Sequence, residues 1–384
     1  MSGSIYLNRT TSFLLKTMKH FSFYYALCII LLVSCNKDDI MDDTQPHRTV
    51  IVYMAADNDL SEDAWDNILQ MQSGYRDNNA NLIVFIDPVD DSPHILQIAH
   101  GSYKKVKTYP EFDSTDATRM NQVLTDIIGM YPAASYGLVL WSHGTSWLPA
   151  GIQLRSFGED NGRHMDLGGT LAAALPVKFD FILLDACLMG AVEVVYELRN
   201  KTDFIIASPT ETLYPGFPYE QIVSELTHTE PDLRKVAADY IEFYNGISGI
   251  LQSASVSLIN TGELEQLAAI TNQFIADLTF DTETFDRTSV QRLDVYDEQY
   301  TFDFLDFMEK AFPDADIVPL KQQLGKTVLF EAHTLRFINE YDINTCCGLS
   351  CYIPHPHRED LNVYYQQLDW CKAAGFTNLF KPSN

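Results

Sequence analysis

Runs of apolar residues alternate with amphipathic segments along most of the chain. The apolar runs have the length of strands that are buried on both faces, and they occupy residues 49–55, 81–87, 136–141, 179–184, 204–207 and 256–259. The segments between them repeat apolar residues at helical spacing, at residues 61–72, 115–130, 167–175 and 191–198. Strands that alternate with helices need crossover connections. The pattern therefore predicts an α/β fold in which helices flank a mainly parallel sheet.

The pattern changes after about residue 260. Helical spacing dominates in the C-terminal part, and one more possible strand follows it; the helical segments are 263–278, 301–312 and 318–331, and the strand is 348–353. We therefore expect one domain over residues 49–260 and a mainly helical C-terminal region, 261–384, that packs on it.

The first 34 residues have the features of an export signal. Three basic residues precede an apolar run, 21–33, that is too short for a comfortable membrane span. The run ends in Leu-Val-Ser-Cys at 32–35, which resembles the bacterial lipobox, where the cysteine becomes the lipidated first residue of the mature chain. We expect residues 1–34 to be a lipoprotein signal peptide and Cys35 to carry the lipid. An uncleaved anchor or a buried helix is the alternative.

The polar segment after this cysteine predicts where the protein is attached. Residues 35–48 have no apolar run and form a predicted tether. Asn-Lys-Asp-Asp at 36–39 resembles the acidic surface-export tag of Bacteroidetes lipoproteins. We therefore expect attachment to the outer membrane through the lipid on Cys35, with the protein facing the periplasm or the cell surface.

The charge balance limits the choice of partners. Acidic residues outnumber basic ones by 52 to 26, and the formal net charge is −26. A surface of this charge repels phosphate backbones, which argues against a nucleic-acid partner. Four cysteines near the C-terminus have no C-x-x-C spacing, so we expect buried thiols or one disulfide rather than a zinc site; they are Cys346, Cys347, Cys351 and Cys371.

Two of the predicted strands run into reactive side chains. The strand at 136–141 continues into Ser-His-Gly at 142–144, and the strand at 179–184 continues into Asp-Ala-Cys at 185–187. The carboxyl ends of parallel strands lie at one edge of a sheet, where open α/β sheets bind ligands. The pattern thus predicts that His143 and Cys187 meet at that edge.

A thiol beside an imidazole can perform nucleophilic catalysis. His143, and the start of a helix expected near Met189, would increase the thiolate fraction of Cys187. The N–H groups of Gly144 and Cys187 could stabilise an oxyanion, and the imidazole could protonate the leaving amine. Taken singly, each residue has a simpler interpretation: a cysteine at a strand end is usually a small buried hydrophobe, and a His-Gly pair is usually a turn.

Several motifs, in this order along the chain, resemble the clostripain family of cysteine peptidases, in the caspase-like clan. They are Val-Tyr-Met-Ala-Ala-Asp-Asn-Asp-Leu at 52–60, Trp-Ser-His-Gly at 141–144, Leu-Asp-Ala-Cys-Leu-Met-Gly at 184–190 and Ala-Ser-Pro-Thr-Glu at 207–211. The resemblance implies a caspase-like three-layer α/β/α sandwich. It also implies a Cys–His dyad, without a required third member, that cleaves protein or peptide substrates.

The resemblance further implies how substrates are recognised and how the chain matures. Family members commonly cleave after arginine or lysine, and Asp185 matches an acidic position of their primary pocket, with Glu211 a second candidate. Here 216–219 reads Gly-Phe-Pro-Tyr where relatives have a Gly-Trp-Asp-Tyr-like stretch. Relatives often cut themselves between the histidine and the cysteine, and Arg155 and Arg163 are the candidate sites.

Other functions remain open from the residues alone. Asp-Asn-Asp at 57–59 could hold Ca²⁺, but we expect an Asx-rich turn there and no cofactor or metal site. A non-catalytic surface lipoprotein on the same fold, acting as a binding module or an adhesin, is the alternative from another class. A third interpretation is a hydrolase or transferase that acts on other amides with the same Cys–His pair.

Overall fold

The computed structural model describes residues 45–76, 79–149, 157–167, 169–276 and 278–380. The segment Pro46–Asn384 belongs to one compact unit. The predicted signal peptide, Cys35 and Arg155 lie outside the described residues. In the part of the chain that the structure describes, no helix is both long and apolar enough to cross a membrane.

In the described residues, the strands form one large sheet and three small two-stranded ones. In chain order they are β1 (Arg48–Ala56), β2 (Ala80–Pro88), β3 (His94–Ala99), β4 (Ser102–Thr108), β5 (Ser135–Trp141), β6 (Phe157–Asp160), β7 (Arg163–Met165), β8 (Phe179–Asp185), β9 (Thr202–Ala207), β10 (Ser255–Asn260), β11 (Phe302–Asp303), β12 (Val328–His333), β13 (Arg336–Phe337), β14 (Tyr341–Asp342) and β15 (Ser350–Cys351). The large sheet has the order β12-β10-β9-β8-β5-β1-β2-β3-β4. Its five central strands, β9 to β2, are parallel, and the outer strands are antiparallel to their neighbours.

The helices cover both faces of this sheet. In chain order they are α1 (Ser61–Gly74), α2 (Ala117–Met130), α3 (Thr170–Ala174), α4 (Val192–Leu198), α5 (Tyr219–Leu226), α6 (Leu233–Gly246), α7 (Leu264–Ile275), α8 (Phe304–Ala311), α9 (Val318–Thr327), α10 (Glu359–Tyr365) and α11 (Asp369–Ala373). Helices α1, α5 and α6 share one apolar core with the alternate residues Val50, Val52 and Met54 of β1. The remaining helices share a second apolar core with Ile51 and Tyr53 on the opposite face. The predicted three-layer α/β/α sandwich is therefore confirmed.

The region after residue 260 is less purely helical than its sequence pattern indicates. The predicted helix at 318–331 ends at Thr327, and the chain continues as β12, which pairs with β10 at the edge of the large sheet. Helices α7 to α11 pack on the core face that contains Ile51 and Tyr53. All described cysteines are free thiols. Of the four near the C-terminus, Cys351 and Cys371 are buried as expected, whereas Cys346 and Cys347 are half-buried, and none of the four forms a disulfide.

A buried glutamate connects α4 to the C-terminal region. Oε1 of Glu193 accepts hydrogen bonds from the hydroxyl of Tyr365 (2.6 Å) and the N–H of Tyr352 (3.0 Å), while Oε2 has no partner among the described residues. Burial raises the pKa of this carboxyl to about 7. The folded state therefore favours the neutral acid, and the associated stability is lost as the pH rises through about 7.

We expect Glu193→Gln to stabilise the protein above pH 7 by as much as roughly 3 kcal/mol, because the amide keeps an acceptor for both hydrogen bonds and has no charge to bury. Near pH 5 the variant and the wild type should unfold at similar temperatures. Thermal unfolding from pH 5 to pH 8 measures this difference. The control is Glu242→Gln on the exposed face of α6, and a Glu193→Gln effect that does not change with pH would contradict the argument.

Candidate active site

Strand register places His143 and Cys187 at the same edge of the sheet. Strands β5 and β8 are adjacent and parallel, with Trp141 opposite Asp185, and each reactive residue lies two positions beyond this pair. The two loops are in close contact, because a Cβ on Gly144 would lie 2.7 Å from the Cys187 carbonyl oxygen and 3.2 Å from its nitrogen. Any larger residue at 144 would push the loops apart.

These two residues line an open cleft. Its lining includes His143, Cys187 and Asp185. The other lining residues come from α1 and the residue before it, from the ends of β5 and β8 and the residues that follow them, and from the loop before α5; these are Leu60, Asp63, Asn67, Trp141, Ser142, Ala186, Thr212, Leu213, Tyr214, Pro215 and Gly216. The sequence analysis did not predict that Asp63, Asn67 and Tyr214 line this cleft. The sequence pattern shows Asp63 and Asn67 only as residues on one face of a helix, and Tyr214 only as part of a loop.

The surroundings of the Cys187 thiol favour its protonated form. It is half-buried and lies 3.5 Å from the carbonyl oxygen of Thr212, to which it can donate. Burial, with a smaller contribution from the Glu211 carboxylate, raises the pKa of the thiol to about 12. The expected helix start near Met189 is wrong, since α4 begins at Val192. The sulfur therefore needs a base to remove its proton during the reaction.

The His143 imidazole is oriented by carboxylates. Its Nε2 lies 2.7 Å from Oδ1 of Asp59 and 3.9 Å from Oε2 of Glu159. A hydrogen bond from Nε2–H to Asp59 leaves the lone pair on Nδ1, which makes the neutral ring a base at that atom. The sequence motif that contains Asp59 could have indicated its importance, but nothing in the sequence pattern pointed to Glu159.

The turn that carries Asp59 is held by Asn58. Oδ1 of Asn58 accepts from the Leu60 N–H (2.8 Å), and Nδ2 donates to the carbonyl oxygens of Ala55 (3.1 Å) and Glu159 (2.7 Å). These are the bonds of an Asx turn, with an added link to β6. The turn at 57–59 thus has its own network of hydrogen bonds.

Two backbone N–H groups are available beside the sulfur. Among the described residues, neither the N–H of Gly144 nor that of Cys187 donates to another residue. Both residues belong to the contact between the two loops. N–H groups in such a position are candidates for stabilising an oxyanion.

Asp185 places a carboxyl group at the wall of the cleft. Oδ2 accepts from the hydroxyl of Tyr219 (2.7 Å) and from the Phe217 N–H (3.4 Å). Burial raises the pKa of Asp185 to about 6. Gly216, with φ of +77°, passes so close that a Cβ there would lie 3.0 Å from Oδ2. A pKa of about 6 means that the Asp185 carboxyl is mostly ionised at neutral pH and about half protonated near pH 6.

Glu211, the second candidate for substrate binding, is not among the residues that line the cleft. Its Oε1 accepts from the Val295 N–H (2.9 Å), and burial raises its pKa to about 7. The side chain therefore connects the loop after β9 to the C-terminal region. The sequence alone could not show whether Glu211 joins two parts of the chain or lines the substrate pocket.

Arg163, one of the two candidate cleavage sites, lies in β7. Its guanidinium forms ion pairs with Asp160 (2.7 Å) and Asp113 (3.4 Å). Cleavage after this residue would require the β6–β7 hairpin to open, because a peptide must reach the cleft in an extended form. Arg155 lies outside the described residues.

Comparison with known proteins identifies relatives of this site. The model of the clostripain family, Peptidase_C11, matches residues 52–343. Clostripain of Hathewaya histolytica is 26% identical over 236 residues, which are 48% of this chain and 44% of that protein. The chain thus spans less than half of the length of this curated relative.

Solved structures show the same architecture. An inactive zymogen C11 protease from Parabacteroides distasonis superimposes with a TM-score of 0.77 at 30% identity, over 86% of this chain and 98% of that one. A secreted C11 cysteine protease from Bacteroides thetaiotaomicron, in complex with an irreversible peptide inhibitor, superimposes with a TM-score of 0.75 at 31% identity. This similarity covers 86% of this chain and 99% of that one. These similarities agree with the predicted caspase-like sandwich.

Proposed function

Because this chain belongs to the clostripain family, we propose that it is a cysteine peptidase in which Cys187 is the nucleophile and His143 the general base. The observation that carries this proposal is the register of β5 and β8, which brings the thiol of Cys187 and the imidazole of His143 to the same cleft. Each of these groups has a defined role in acyl transfer.

The reaction begins with a neutral thiol. As the sulfur attacks the scissile carbonyl, the Cys187 proton passes to Nδ1 of His143, so a thiolate does not accumulate beforehand. The carbonyl oxygen becomes an oxyanion that the N–H groups of Gly144 and Cys187 stabilise. The imidazolium then protonates the leaving amine, and water hydrolyses the acyl-enzyme with His143 again as the base. Asp59 keeps the ring in the required tautomer throughout.

We propose that the substrate residue before the scissile bond is arginine or lysine. The cleft contains the carboxyl of Asp185 at its wall and that of Asp63 on α1, while Leu60 and Tyr214 offer apolar surface for the aliphatic part of the side chain. A cation that reaches Asp185 also favours its ionised form, so binding and ionisation support each other. Pro218 occupies the place of the acidic residue in the corresponding stretch of relatives, which leaves Asp185 as the principal contact.

The test is a set of fluorogenic peptides with Arg, Lys or Ala before the scissile bond. We expect the wild type to prefer Arg and Lys, and we expect Asp185→Asn to lower kcat/KM for these peptides by about 10²-fold or more, because a buried charge loses its partner. Activity on the basic peptides should fall below about pH 6 more steeply than activity on the alanine peptide, because Asp185 takes up a proton. This difference between the two pH profiles should disappear in the variant, whereas the acid limb due to His143 should remain.

The alanine peptide and a second variant serve as controls. Glu62→Gln removes an exposed carboxylate of α1 that does not line the cleft, and it should leave the preference unchanged. Equal losses on Arg and Ala peptides in Asp185→Asn would show that Asp185 supports the fold rather than binding the substrate. If the wild type hydrolyses none of the peptides, the non-catalytic lipoprotein becomes the better interpretation.

We further propose that the protein is exported and attached to the outer membrane through Cys35. This proposal rests on the lipobox-like sequence at 32–35, and the secreted relative from Bacteroides thetaiotaomicron supports export. If the protein matures by self-cleavage, Arg155 is the better candidate, since Arg163 is engaged in β7 by two carboxylates.

A further inference from the structure

Two carboxylates flank the His143 imidazole on the side of the ring that carries Nε2. One ligand atom from each of Asp59, His143 and Glu159 lies within 4.8 Å of the other two, and no other such group of metal-ligating side chains occurs among the described residues. The distances from Nε2 are 2.7 Å to Asp59 and 3.9 Å to Glu159. The three side chains come from separate segments: the turn after β1, the loop after β5, and β6.

Hydrogen bonds hold these segments together. The Gly158 N–H donates to the carbonyl of His143 (2.9 Å), and the Glu159 N–H donates to Oγ of Ser142 (3.1 Å). Nδ2 of Asn58 donates to the carbonyl of Glu159 (2.7 Å) and so connects β6 to the turn that carries Asp59. The ligand atoms therefore converge on a backbone that is already in place, and only side-chain rotations are needed to adjust them.

The donor set indicates which cation fits. One imidazole nitrogen and two carboxylate oxygens match the tetrahedral coordination of Zn²⁺, with a water molecule as the fourth ligand. Ca²⁺ and Mg²⁺ prefer oxygen ligands throughout, so the imidazole disfavours them. The site is also accessible, since the Asp59 side chain is 83% exposed, whereas Glu159 is 14% exposed and forms the inner wall.

We propose that Asp59, His143 and Glu159 form a Zn²⁺ site whose occupation switches the peptidase off. The inhibitory part of this proposal rests on the proposed function, because it needs His143 to be the base. The cation is a reversible inhibitor here and not a cofactor.

The inhibition follows from the chemistry of imidazole. When Zn²⁺ takes the lone pair of Nε2, the neutral ring carries its hydrogen on Nδ1, and neither nitrogen can accept a proton from Cys187. Without the cation, Nε2–H donates to Asp59 and the lone pair on Nδ1 is available. The same carboxylate thus orients the base in one state and holds the cation in the other.

Binding can be measured without any catalysis. Zn²⁺ alone is titrated calorimetrically into the Cys187→Ala protein, which lacks both the proposed nucleophile and the thiol that could itself bind zinc. We expect one site per chain and a loss of affinity of at least about tenfold when Glu159→Gln is added. Glu62→Gln is the matched control, because it removes an exposed carboxylate of α1 that does not belong to the cluster.

Inhibition is then measured on proteins that retain Cys187. Zn²⁺ should inhibit the wild type and the Glu62→Gln variant equally, with reversal by EDTA, and the inhibitory concentration should rise at least about tenfold in Glu159→Gln, each rate being compared with that of the same variant without zinc. The proposal is overturned if Cys187→Ala abolishes the binding, which would assign the metal to a thiol–imidazole pair, or if Glu159→Gln binds zinc as the parent does. If zinc binds as expected but no variant hydrolyses peptides, the proposed function fails while the metal site stands.

Discussion

Replacing Cys187 with alanine is expected to lower kcat/KM for peptide hydrolysis by at least about 10⁴-fold, since no other group can form the acyl-enzyme. His143→Ala should cost about 10²- to 10⁴-fold, because the thiol, whose pKa burial raises to about 12, then has no base to remove its proton. The double variant should be no slower than Cys187→Ala, because residues that act as one unit do not contribute additively.

A thiol outside the cleft provides the control. Cys346 is also half-buried but does not line the cleft, so Cys346→Ala should keep the activity of the wild type. Active-site titration with an irreversible peptide inhibitor reports the fraction of competent enzyme in each preparation, and circular dichroism reports its fold. Substantial hydrolysis by correctly folded Cys187→Ala would refute the assignment of the nucleophile.

The second large effect concerns stability. We expect Trp147→Ala to lower the free energy of unfolding by about 3–5 kcal/mol, because a large buried ring leaves a cavity that the surroundings fill only in part. Trp147 follows the His143 loop and is fully buried, with ring centroids 4.7 Å from Tyr352 and 4.9 Å from Tyr365. Urea unfolding measures the loss. Activity should fall as well, since these contacts anchor the loop on the C-terminal region.

Trp147→Phe separates ring packing from hydrogen bonding. The indole N–H has no acceptor among the described residues, so phenylalanine sacrifices no hydrogen bond and retains one aromatic ring between Tyr352 and Tyr365. The loss of stability should then be less than half of that in Trp147→Ala. Equal losses in the two variants would show that the packing of a six-membered ring contributes little at this position.

The central strands could be read from the sequence because burial on both faces leaves a run of apolar residues. Strands β1, β2, β5 and β8 all lie where such runs occur, and their parallel order follows from the helices between them. The placement of His143 and Cys187 at one edge follows in turn, since each comes directly after a strand. Local pattern was sufficient there because the polarity changes abruptly where a buried strand ends.

The outer elements could not be read in the same way. Strand β4 contains Lys104, Lys105 and Lys107 and is largely exposed, so its sequence shows no buried run. Strand β12 is half-buried and begins at the residue directly after α9. The spacing of apolar residues therefore could not show where the helix ends and the strand begins. The β3–β4 hairpin and the edge strand β12 form because neighbouring backbones offer hydrogen-bonding partners, which is a tertiary effect.

Sequence alone determined the layered α/β architecture, the family resemblance and the two residues at the strand ends, because alternating burial and short motifs are local properties of the chain. Only the tertiary structure decided which acids act together: it placed Asp59 and Glu159 beside His143, and Asp63 and Asp185 along one cleft, while Glu211 is not part of the lining of that cleft. Carboxylates have the same chemistry wherever they occur in a sequence. Their roles depend on burial and on neighbours that are distant along the chain, and these are defined only when the chain is folded.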